Sequence, residues 1–378
     1  MAGPLVAFSH LRWTWVWQRT QHLVSRLAQQ RPVYFVEEPV VAPVGAPVLR
    51  VETQRSVRRV WMEVPRGASA DGGASGAVAG FGDPRAAGYG EQVAGLLEPG
   101  PAEIAWISTP FALGHARALD ADTLVYDVMD DLAALATAPQ QIPEWHTAAL
   151  DAAHLVLAGG PSLHAAVRER AGARAHLLPS GVEREHFATV RRRRRPHDRP
   201  VAGYVGVVDE RLDLQLVVEL ADRLPDWSIE LVGPVARIDP ATLPRRPNLR
   251  HAGMQPYAEL PAVMARLDVA LVPFALDAST RFSAPTKTLE YVAAGLPVVS
   301  TPVPDVVADL GDIVAIAAGP ADFAAACRRV EAQPAAAGDP GIARVLRRRH
   351  WDGVAARLDD LIDAARVRRG TQERMERA

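Results

Sequence analysis

The stretch Ser283–Ser300, SAPTKTLEYVAAGLPVVS, carries the clearest local signals in this chain of 378 residues. Pro285 stands where a helix would start, because proline is preformed for the first helical position. Gly295, two residues before Pro297, predicts the end of that helix. Val298–Ser300 then opens an apolar run that is typical of a buried strand. The stretch therefore predicts a helix that leads directly into a strand.

Short apolar runs, most of them followed by a helix-length pattern, recur along the whole chain. The runs are Pro4–Ser9, Val33–Val36, Ile104–Ser108, Leu124–Val128 and Leu155–Ala158 in the first half, and Val201–Val208, Ile229–Val232, Val269–Pro273, Val298–Ser300 and Ile313–Ile316 in the second. Continuous apolarity indicates strands that are buried on both faces of a parallel sheet. The alternation predicts the α/β class, with two doubly wound, Rossmann-like domains.

Composition excludes several other classes of protein. The 42 lysines and arginines nearly balance the 44 aspartates and glutamates, so the net charge of −2 gives no general attraction to nucleic acid. One cysteine, Cys327, excludes an internal disulfide and a cysteine-built zinc site. No apolar run reaches the roughly 18 residues of a membrane span, and the N-terminus lacks the pattern of a signal peptide. We therefore expect a soluble, cytoplasmic protein, and a peripheral contact with the inner membrane face stays open.

A run of five arginines, Arg191–Arg195, marks the predicted domain boundary. Like charges repel and do not pack, so residues 191–200 are predicted to be a solvated linker, which we favour over a membrane or nucleic-acid contact. An N-terminal domain then covers residues 1–190 and a C-terminal domain residues 201–349. The amphipathic helix at 350–369 is predicted to pack back on the N-terminal domain.

The chain has a single lysine, Lys287, against 41 arginines. The helix predicted after Pro285 puts this lysine in its first turn, where a cation opposes the helix dipole. The conflict disappears if an anion binds there, held by backbone N–H groups and by the lysine. The alternative is that this one lysine was retained by chance and binds no anion.

Glu290 follows Lys287 by three residues and lies on the same helix face, about 4.5 Å further along the axis. A carboxylate at that point can accept hydrogen bonds from both hydroxyls of a ribose. Phosphate on Lys287 and ribose on Glu290 together predict a nucleoside diphosphate lying across the helix start. The alternative is a surface Lys–Glu pair that contributes a few tenths of a kcal/mol.

Four segments, in the right order, resemble parts of one enzyme family. Residues 283–300 resemble the donor-binding signature of GT-B glycosyltransferases, in particular the retaining family GT4. Gly203–Arg211 (GYVGVVDER) resembles the first strand and loop of the family's donor domain. Leu178–Phe187 (LPSGVEREHF) resembles the segment before the linker, and Trp17–Leu23 (WQRTQHL) resembles a segment after the first strand. The resemblance covers most of residues 1–365.

This resemblance implies two domains that face a cleft, with a nucleotide sugar, most simply a UDP-sugar, bound to the second domain. The matching donor-binding residues are Gly206, Arg211, Lys287 and Glu290. Arg211 and Lys287 would also be catalytic, by stabilising the departing diphosphate. The family often has an E-x7-E pair, but Phe282 stands at the first position here. The role of that glutamate, and with it retention at the anomeric carbon, stays open. Neither a metal nor a further cofactor is expected.

The N-terminal domain is expected to contact the acceptor. His10 lies at the end of the first strand, where ligands of doubly wound sheets bind. Arg19 and His22 share one face at the start of the first long helix, and Arg19 puts a cation at a helix N-terminus, which suggests a nearby phosphate. Core or capping roles for both histidines stay open.

Three aspartates lie at the carboxyl end of the predicted strand Leu124–Val128: Asp127 inside it, and Asp130 and Asp131 just after it. A carboxylate there can act as a general base or orient the acceptor hydroxyl. We favour Asp130, because Asp127 directly follows the apolar run and Asp131 fits an N-cap; Asp127 stays a candidate on the acceptor side. A capping role for Asp130 and a metal-binding D-x-D-like element are the alternatives.

The sequence therefore predicts an enzyme that moves a sugar from a nucleotide-diphosphate sugar to a hydroxyl of a glycan, lipid-linked or small-molecule acceptor, in polysaccharide, glycolipid or glycoconjugate synthesis. Two alternatives remain: a non-catalytic sugar-nucleotide-binding protein, and a GT-B isomerase or phosphorylase. A phosphorylase would need pyridoxal phosphate on Lys287, the sole lysine available for a Schiff base. The donor sugar, the acceptor and the oligomeric state are left open.

Overall fold

The computed structural model describes residues 2–67, 78–98, 100–135, 138–192, 198–333 and 339–376. The chain divides into two compact units. The first unit comprises Met1–Met129, Pro139–Pro179 and Asp352–Ala378, and the second comprises Asp130–Ala138 and Ser180–Trp351. Residues 193–197 of the predicted linker lie outside the described residues.

The first unit is built on a sheet of nine strands. They are β1 (Leu5–Ser9), β2 (Val33–Glu37), β3 (Val40–Val41), β4 (Val48–Gln54), β5 (Val57–Val64), β6 (Ile104–Ile107), β7 (Thr123–Val128), β8 (Leu155–Ala158) and β9 (Ala175–Leu177). The order is β3-β5-β2-β1-β6-β7-β8-β9, and β4 pairs with β5. All these pairs are parallel except β4 with β5. The α-helices of this unit that precede residue 180 are α1 (Arg19–Leu27), α2 (Tyr89–Ala94), α3 (Leu113–Arg117), α4 (Ile142–Ala152) and α5 (Pro161–Ala171).

The five strands predicted in the first half are present as β1, β2, β6, β7 and β8. Each of them is buried along its whole length, as continuous apolarity predicts. The antiparallel hairpin of β4 and β5 was not predicted. Most of β4 is exposed, and β5 alternates between buried and partly buried positions. Neither strand therefore contains an apolar run of the kind on which the prediction relied.

The second unit is built on a six-stranded parallel sheet. Its strands are β10 (Val201–Val205), β11 (Ser228–Val232), β12 (Leu249–His251), β13 (Val269–Val272), β14 (Val298–Ser300) and β15 (Ala315–Ile316). Its helices are α6 (Arg184–Ala188), α7 (Leu214–Arg223), α8 (Leu260–Met264), α9 (Thr286–Ala294), α10 (Pro304–Leu310), α11 (Pro320–Ala332) and α12 (Pro340–Arg348). The two parallel-sheet units confirm the predicted α/β class.

The strand order of the second sheet, β12-β11-β10-β13-β14-β15, decides where a ligand can bind. The chain runs outward from β10 to β12 on one side and from β13 to β15 on the other. The order therefore reverses between β10 and β13. Open α/β sheets bind ligands beyond the carboxyl ends of the strands at such a reversal.

The last helix, α13 (Trp351–Glu376), begins at the end of the second unit and continues in the first. Its apolar face is buried, as the spacing of its leucines predicts. Two carboxylates on the helix contact arginines of the first unit: Asp352 pairs with Arg26 at 2.6 Å and Asp359 with Arg31 at 3.3 Å. In the described part of the chain, no helix is both long and apolar enough to cross a bilayer.

Candidate functional site

Two glycines shape the carboxyl end of β10. The backbone N–H of Gly206 donates to the carbonyl of Val232 at 2.8 Å, which joins the loops that follow β10 and β11. A Cβ atom at Gly206 would stand 2.5 Å from Cε of Lys287, and one at Gly233 would stand 1.9 Å from the carbonyl oxygen of Gly206. Both separations are far below van der Waals contact. A side chain at residue 233 would collide with the backbone of the neighbouring loop, and one at residue 206 would displace the lysine, so the two glycines let the loops meet and Lys287 approach.

Helix α9 is fixed against the end of β10 by one tyrosine. The hydroxyl of Tyr291 accepts a hydrogen bond from the backbone N–H of Val205 at 2.7 Å and donates to its carbonyl at 3.1 Å. Pro285 is the N-cap, so the helix begins at Thr286, one residue later than predicted, because the ψ of Pro285, 109°, is extended. Gly295 ends the helix at a φ of +74°, which confirms the predicted stop.

Lys287 lies in the first turn of α9, as predicted, between two aromatic rings. Its Nζ is 4.9 Å from the ring centroid of Phe274 and 5.1 Å from that of Tyr204. Both distances are in the range of cation–π contacts. Burial, helped by the nearby charge of Arg211, lowers the pKa of Lys287 to about 8. The ammonium is therefore held on apolar rings and loses much of the hydration that would stabilise its charge.

Glu290 lies one turn further along the same helix face. Burial raises the pKa of Glu290 to about 7, although the charge of Lys287 acts in the opposite direction. Within the described residues, neither a hydrogen bond nor an ion pair joins Lys287 to Glu290. The two groups are partly buried and remain separate, so they differ from the surface pair that was the alternative interpretation.

A buried carboxylate holds two arginines beside this helix. Asp209 is 1% exposed, and its Oδ1 and Oδ2 accept from Nε and Nη2 of Arg211 at 3.1 and 2.7 Å. Nη2 of Arg237 donates to the same Oδ2 at 2.6 Å. Burial opposes ionisation of Asp209, but the hydrogen bonds and charges of both arginines outweigh it and keep its pKa below the usual value. Asp209 therefore fixes the position of Arg211.

Asp130 and Asp131, which follow β7, have different surroundings. Asp130 is 39% exposed, and its Oδ2 is 3.5 Å from Nη1 of Arg211. Asp131 accepts a hydrogen bond from the backbone N–H of Ala133 at 3.2 Å and so caps a short 3₁₀ helix. The predicted capping role is therefore observed for Asp131, and Asp130 is the aspartate that the structure brings to the predicted donor-binding residues.

Arg19 and Asp127, both named as candidates on the acceptor side, contact each other in the first unit. Nε and Nη2 of Arg19 donate to Asp127 at distances of 3.0 to 3.2 Å, and Nη1 donates to the carbonyl of Leu178 at 2.7 Å. The side chains are 5% and 0% exposed. This buried ion pair neutralises the cation that was expected to attract a phosphate.

The two candidate histidines follow β1 in the chain, His10 directly after the strand and His22 on α1. His10 directly follows β1 and is partly buried. His22 is 2% exposed, and its Nδ1 accepts a hydrogen bond from Nε1 of Trp17 at 3.2 Å. Packing against Trp17 is typical of a core histidine, which was the open alternative for this residue.

Sequence reasoning missed Tyr204, Asp209, Arg237 and Phe274. Asp209 stands two residues before Arg211, and that spacing was the one available signal, since side chains two apart in a loop can meet. The two rings and Arg237 approach the site only through tertiary structure. Among the described residues, no group of three or more His, Cys, Asp or Glu side chains is arranged to hold a metal ion.

Comparison of the sequence with known proteins finds a family match within the second unit. Residues 199–333 match the family described as Glycosyl transferases group 1. A putative teichuronic acid biosynthesis glycosyltransferase of Bacillus subtilis, TuaH, is 30% identical over 174 residues, which cover 42% of this chain and 43% of that protein. The chain therefore matches less than half the length of this curated relative.

Comparison with solved structures covers nearly the whole chain. Sucrose-phosphate synthase from Thermosynechococcus elongatus has a TM-score of 0.75 at 17% identity and covers 96% of this chain and 99% of its own. Anabaena HepE in complex with UDP has a TM-score of 0.65 at 12% identity, with 96% and 100% covered. The comparisons confirm the predicted resemblance to GT-B glycosyltransferases. Assignment to GT4 stays a prediction.

Proposed function

We propose that this chain, which has the GT-B fold, is a glycosyltransferase that moves a sugar from a UDP-sugar to a hydroxyl group of an acceptor. The observation that carries the proposal is the convergence of Arg211, Lys287 and the first turn of α9 at the reversal of strand order between β10 and β13. Two cations and the N–H groups of a helix start form a binding surface for a diphosphate.

The nucleoside half of the donor is proposed to lie along α9. Glu290 is one helical turn beyond Lys287, so a ribose attached to the bound diphosphate can reach its carboxylate. The ionised carboxylate accepts hydrogen bonds from both ribose hydroxyls. UDP as the nucleotide is supported by the HepE complex with UDP, which shares this fold at low sequence identity.

Catalysis in this proposal rests on charge stabilisation and positioning. The acceptor oxygen bonds to the anomeric carbon while the bond from that carbon to the diphosphate oxygen breaks, and UDP leaves with the bonding electrons. Arg211 and Lys287 stabilise the negative charge that develops on the diphosphate. The proton of the acceptor hydroxyl passes to Asp130, whose exposed carboxylate lies beside Arg211.

The acceptor is proposed to be a glycan or lipid-linked hydroxyl compound of a bacterial surface polymer. The name of the relative TuaH, which refers to teichuronic acid synthesis, supports this class. We further propose retention at the anomeric carbon, as the GT4 resemblance implies, and a reaction that needs no metal because Arg211 and Lys287 supply the positive charge.

Calorimetric titration with UDP, GDP, ADP and TDP tests the donor assignment. We expect UDP to bind the wild-type protein most tightly, and Lys287→Ala to weaken UDP binding by roughly ten- to a hundredfold, since a charge-assisted contact contributes about 1.5–3 kcal/mol. Equal UDP affinity in wild type and Lys287→Ala would reject the site. A panel of UDP-sugars and acceptors then separates a transferase from a protein that only binds nucleotides.

A further inference from the structure

Arg211 directs its three guanidinium nitrogens toward two different carboxylates. Nε and Nη2 donate to Asp209, whose Oδ1 also accepts from the backbone N–H of Arg211 at 3.1 Å. Nη1, on the other side of the guanidinium, is 3.5 Å from Oδ2 of Asp130. The two contacts have different strengths, because Asp209 is buried and bonded three times whereas Asp130 is 39% exposed and at the limit of hydrogen-bond distance.

We propose that Asp130 is an internal counter-ion of Arg211 that competes with the diphosphate of the donor for Nη1, and that donor binding releases its carboxylate. This inference rests on the proposed function, because it takes the diphosphate site at Arg211 as given. It adds an order of events, in which the donor binds first and Asp130 becomes available to the acceptor afterwards.

The geometry decides which partner of Arg211 gives way. Asp209 also binds Arg237 at 2.6 Å, so its departure would break ion pairs with two arginines at once. Asp130 has the longer contact, and water can replace Arg211 at its exposed oxygens. A diphosphate carries more negative charge than one carboxylate. Its oxygens also accept hydrogen bonds from the N–H groups at the start of α9. The diphosphate therefore displaces Asp130 and leaves Asp209 in place.

The release changes what Asp130 can contact. Before the donor binds, Oδ2 of Asp130 faces Nη1 of Arg211 at 3.5 Å. When the diphosphate takes over Nη1, this oxygen is free to accept a hydrogen bond from the acceptor hydroxyl. Donor binding thus frees the carboxylate that takes the proton in the proposed function.

Calorimetric titration of UDP and of uridine into three proteins tests the inference: wild type, Asp130→Asn and the matched control Asp131→Asn. The control removes the neighbouring aspartate, which caps the 3₁₀ helix and does not contact Arg211. Partly exposed ion pairs contribute up to about 1 kcal/mol. We therefore expect Asp130→Asn to bind UDP about two- to fivefold more tightly, with uridine affinity unchanged, because uridine has no phosphate. Asp131→Asn should match the wild type for both ligands.

Equal or weaker binding of UDP by Asp130→Asn would overturn the inference, as would a gain that uridine shares. Asp130→Ala, which removes the same charge, must give the same gain, so a folding defect of one variant does not decide the result. A wild-type protein that binds no nucleoside diphosphate would instead reject the proposed function. Raising the ionic strength should reduce the difference between wild type and Asp130→Asn, because salt screens an exposed ion pair.

Discussion

Lys287 packs against Gly206 so closely that Cε of the lysine would stand 2.5 Å from a Cβ atom at residue 206. The loop after β10 and the first turn of α9 therefore approach each other closely because residue 206 has no side chain. The chain's single lysine packs past Gly206 and contacts the rings of Tyr204 and Phe274. Its surroundings are therefore formed by residues that only the folded sheet brings together.

Gly206→Ala should displace Lys287 and weaken UDP binding roughly tenfold or more, because the charge-assisted contact with phosphate contributes about 1.5–3 kcal/mol. Calorimetric titration measures the change. Gly114→Ala is the matched control, since a Cβ atom at Gly114 would meet nothing within 4 Å. Unchanged UDP affinity in Gly206→Ala would mean that the lysine does not contact the phosphates.

The affinity for UDP should depend on pH through Lys287. Burial lowers the pKa of Lys287 to about 8, and a bound diphosphate favours the protonated form, so the pKa is higher in the complex. Affinity is then fully present below pH 8 and falls, by up to about tenfold per pH unit, as the pH rises above it. The variant Lys287→Arg stays charged throughout this range, so any pH dependence that it shows comes from titration of UDP itself. Parallel pH profiles for wild type and Lys287→Arg would contradict the assignment.

The sequence predicted those parts of the fold that depend on local patterns. Continuous apolar runs located the buried strands, and Gly295 located the end of α9. The hairpin of β4 and β5 was missed because its residues are mostly exposed or partly buried, and such strands are stabilised by pairing rather than by burial.

Residue types at a predicted helix start were enough to single out Lys287 and Glu290. They could not show that Asp209 holds both Arg211 and Arg237, because the loops of β10 and β11 meet only in the folded sheet. Arg19 illustrates the opposite error. A cation at a helix start suggested a bound phosphate, but Asp127, 108 residues later, supplies the negative charge.

Glu290→Gln should weaken the binding of uridine, because an amide presents one acceptor oxygen to the two ribose hydroxyls. Burial raises the pKa of Glu290 to about 7, and a bound ribose favours the ionised form. Wild-type affinity for uridine should therefore be fully present above pH 7 and fall as the pH drops below it, whereas Glu290→Gln should show no such fall.

The control for Glu290 is Glu219→Gln, which changes an exposed glutamate that pairs with Arg223 at 3.7 Å on α7. It should bind uridine like the wild type at every pH. If Glu290→Gln also binds uridine like the wild type, Glu290 does not contact the ribose and has a structural role in α9.

Asp127→Asn should destabilise the first unit, in contrast to Asp130→Asn. Asp127 and Arg19 are 0% and 5% exposed and joined at 3.0 Å. Removing one partner of a buried ion pair leaves the other charge uncompensated, which costs about 3–5 kcal/mol. Asp130 is 39% exposed, so its replacement should leave the free energy of unfolding within about 1 kcal/mol of the wild type. Urea unfolding, followed by tryptophan fluorescence, measures both changes.

The double variant Arg19→Met/Asp127→Leu separates this structural role from a catalytic one. Replacing both charged partners by apolar side chains of similar size is often neutral or stabilising, so the double variant should recover much of the stability that Asp127→Asn loses. Nη1 of Arg19 also donates to the carbonyl of Leu178 at 2.7 Å, and the loss of that hydrogen bond should make the recovery incomplete by about 1 kcal/mol. A normal free energy of unfolding for Asp127→Asn would show that the buried pair contributes little to folding, and Asp127 would then return as a candidate on the acceptor side.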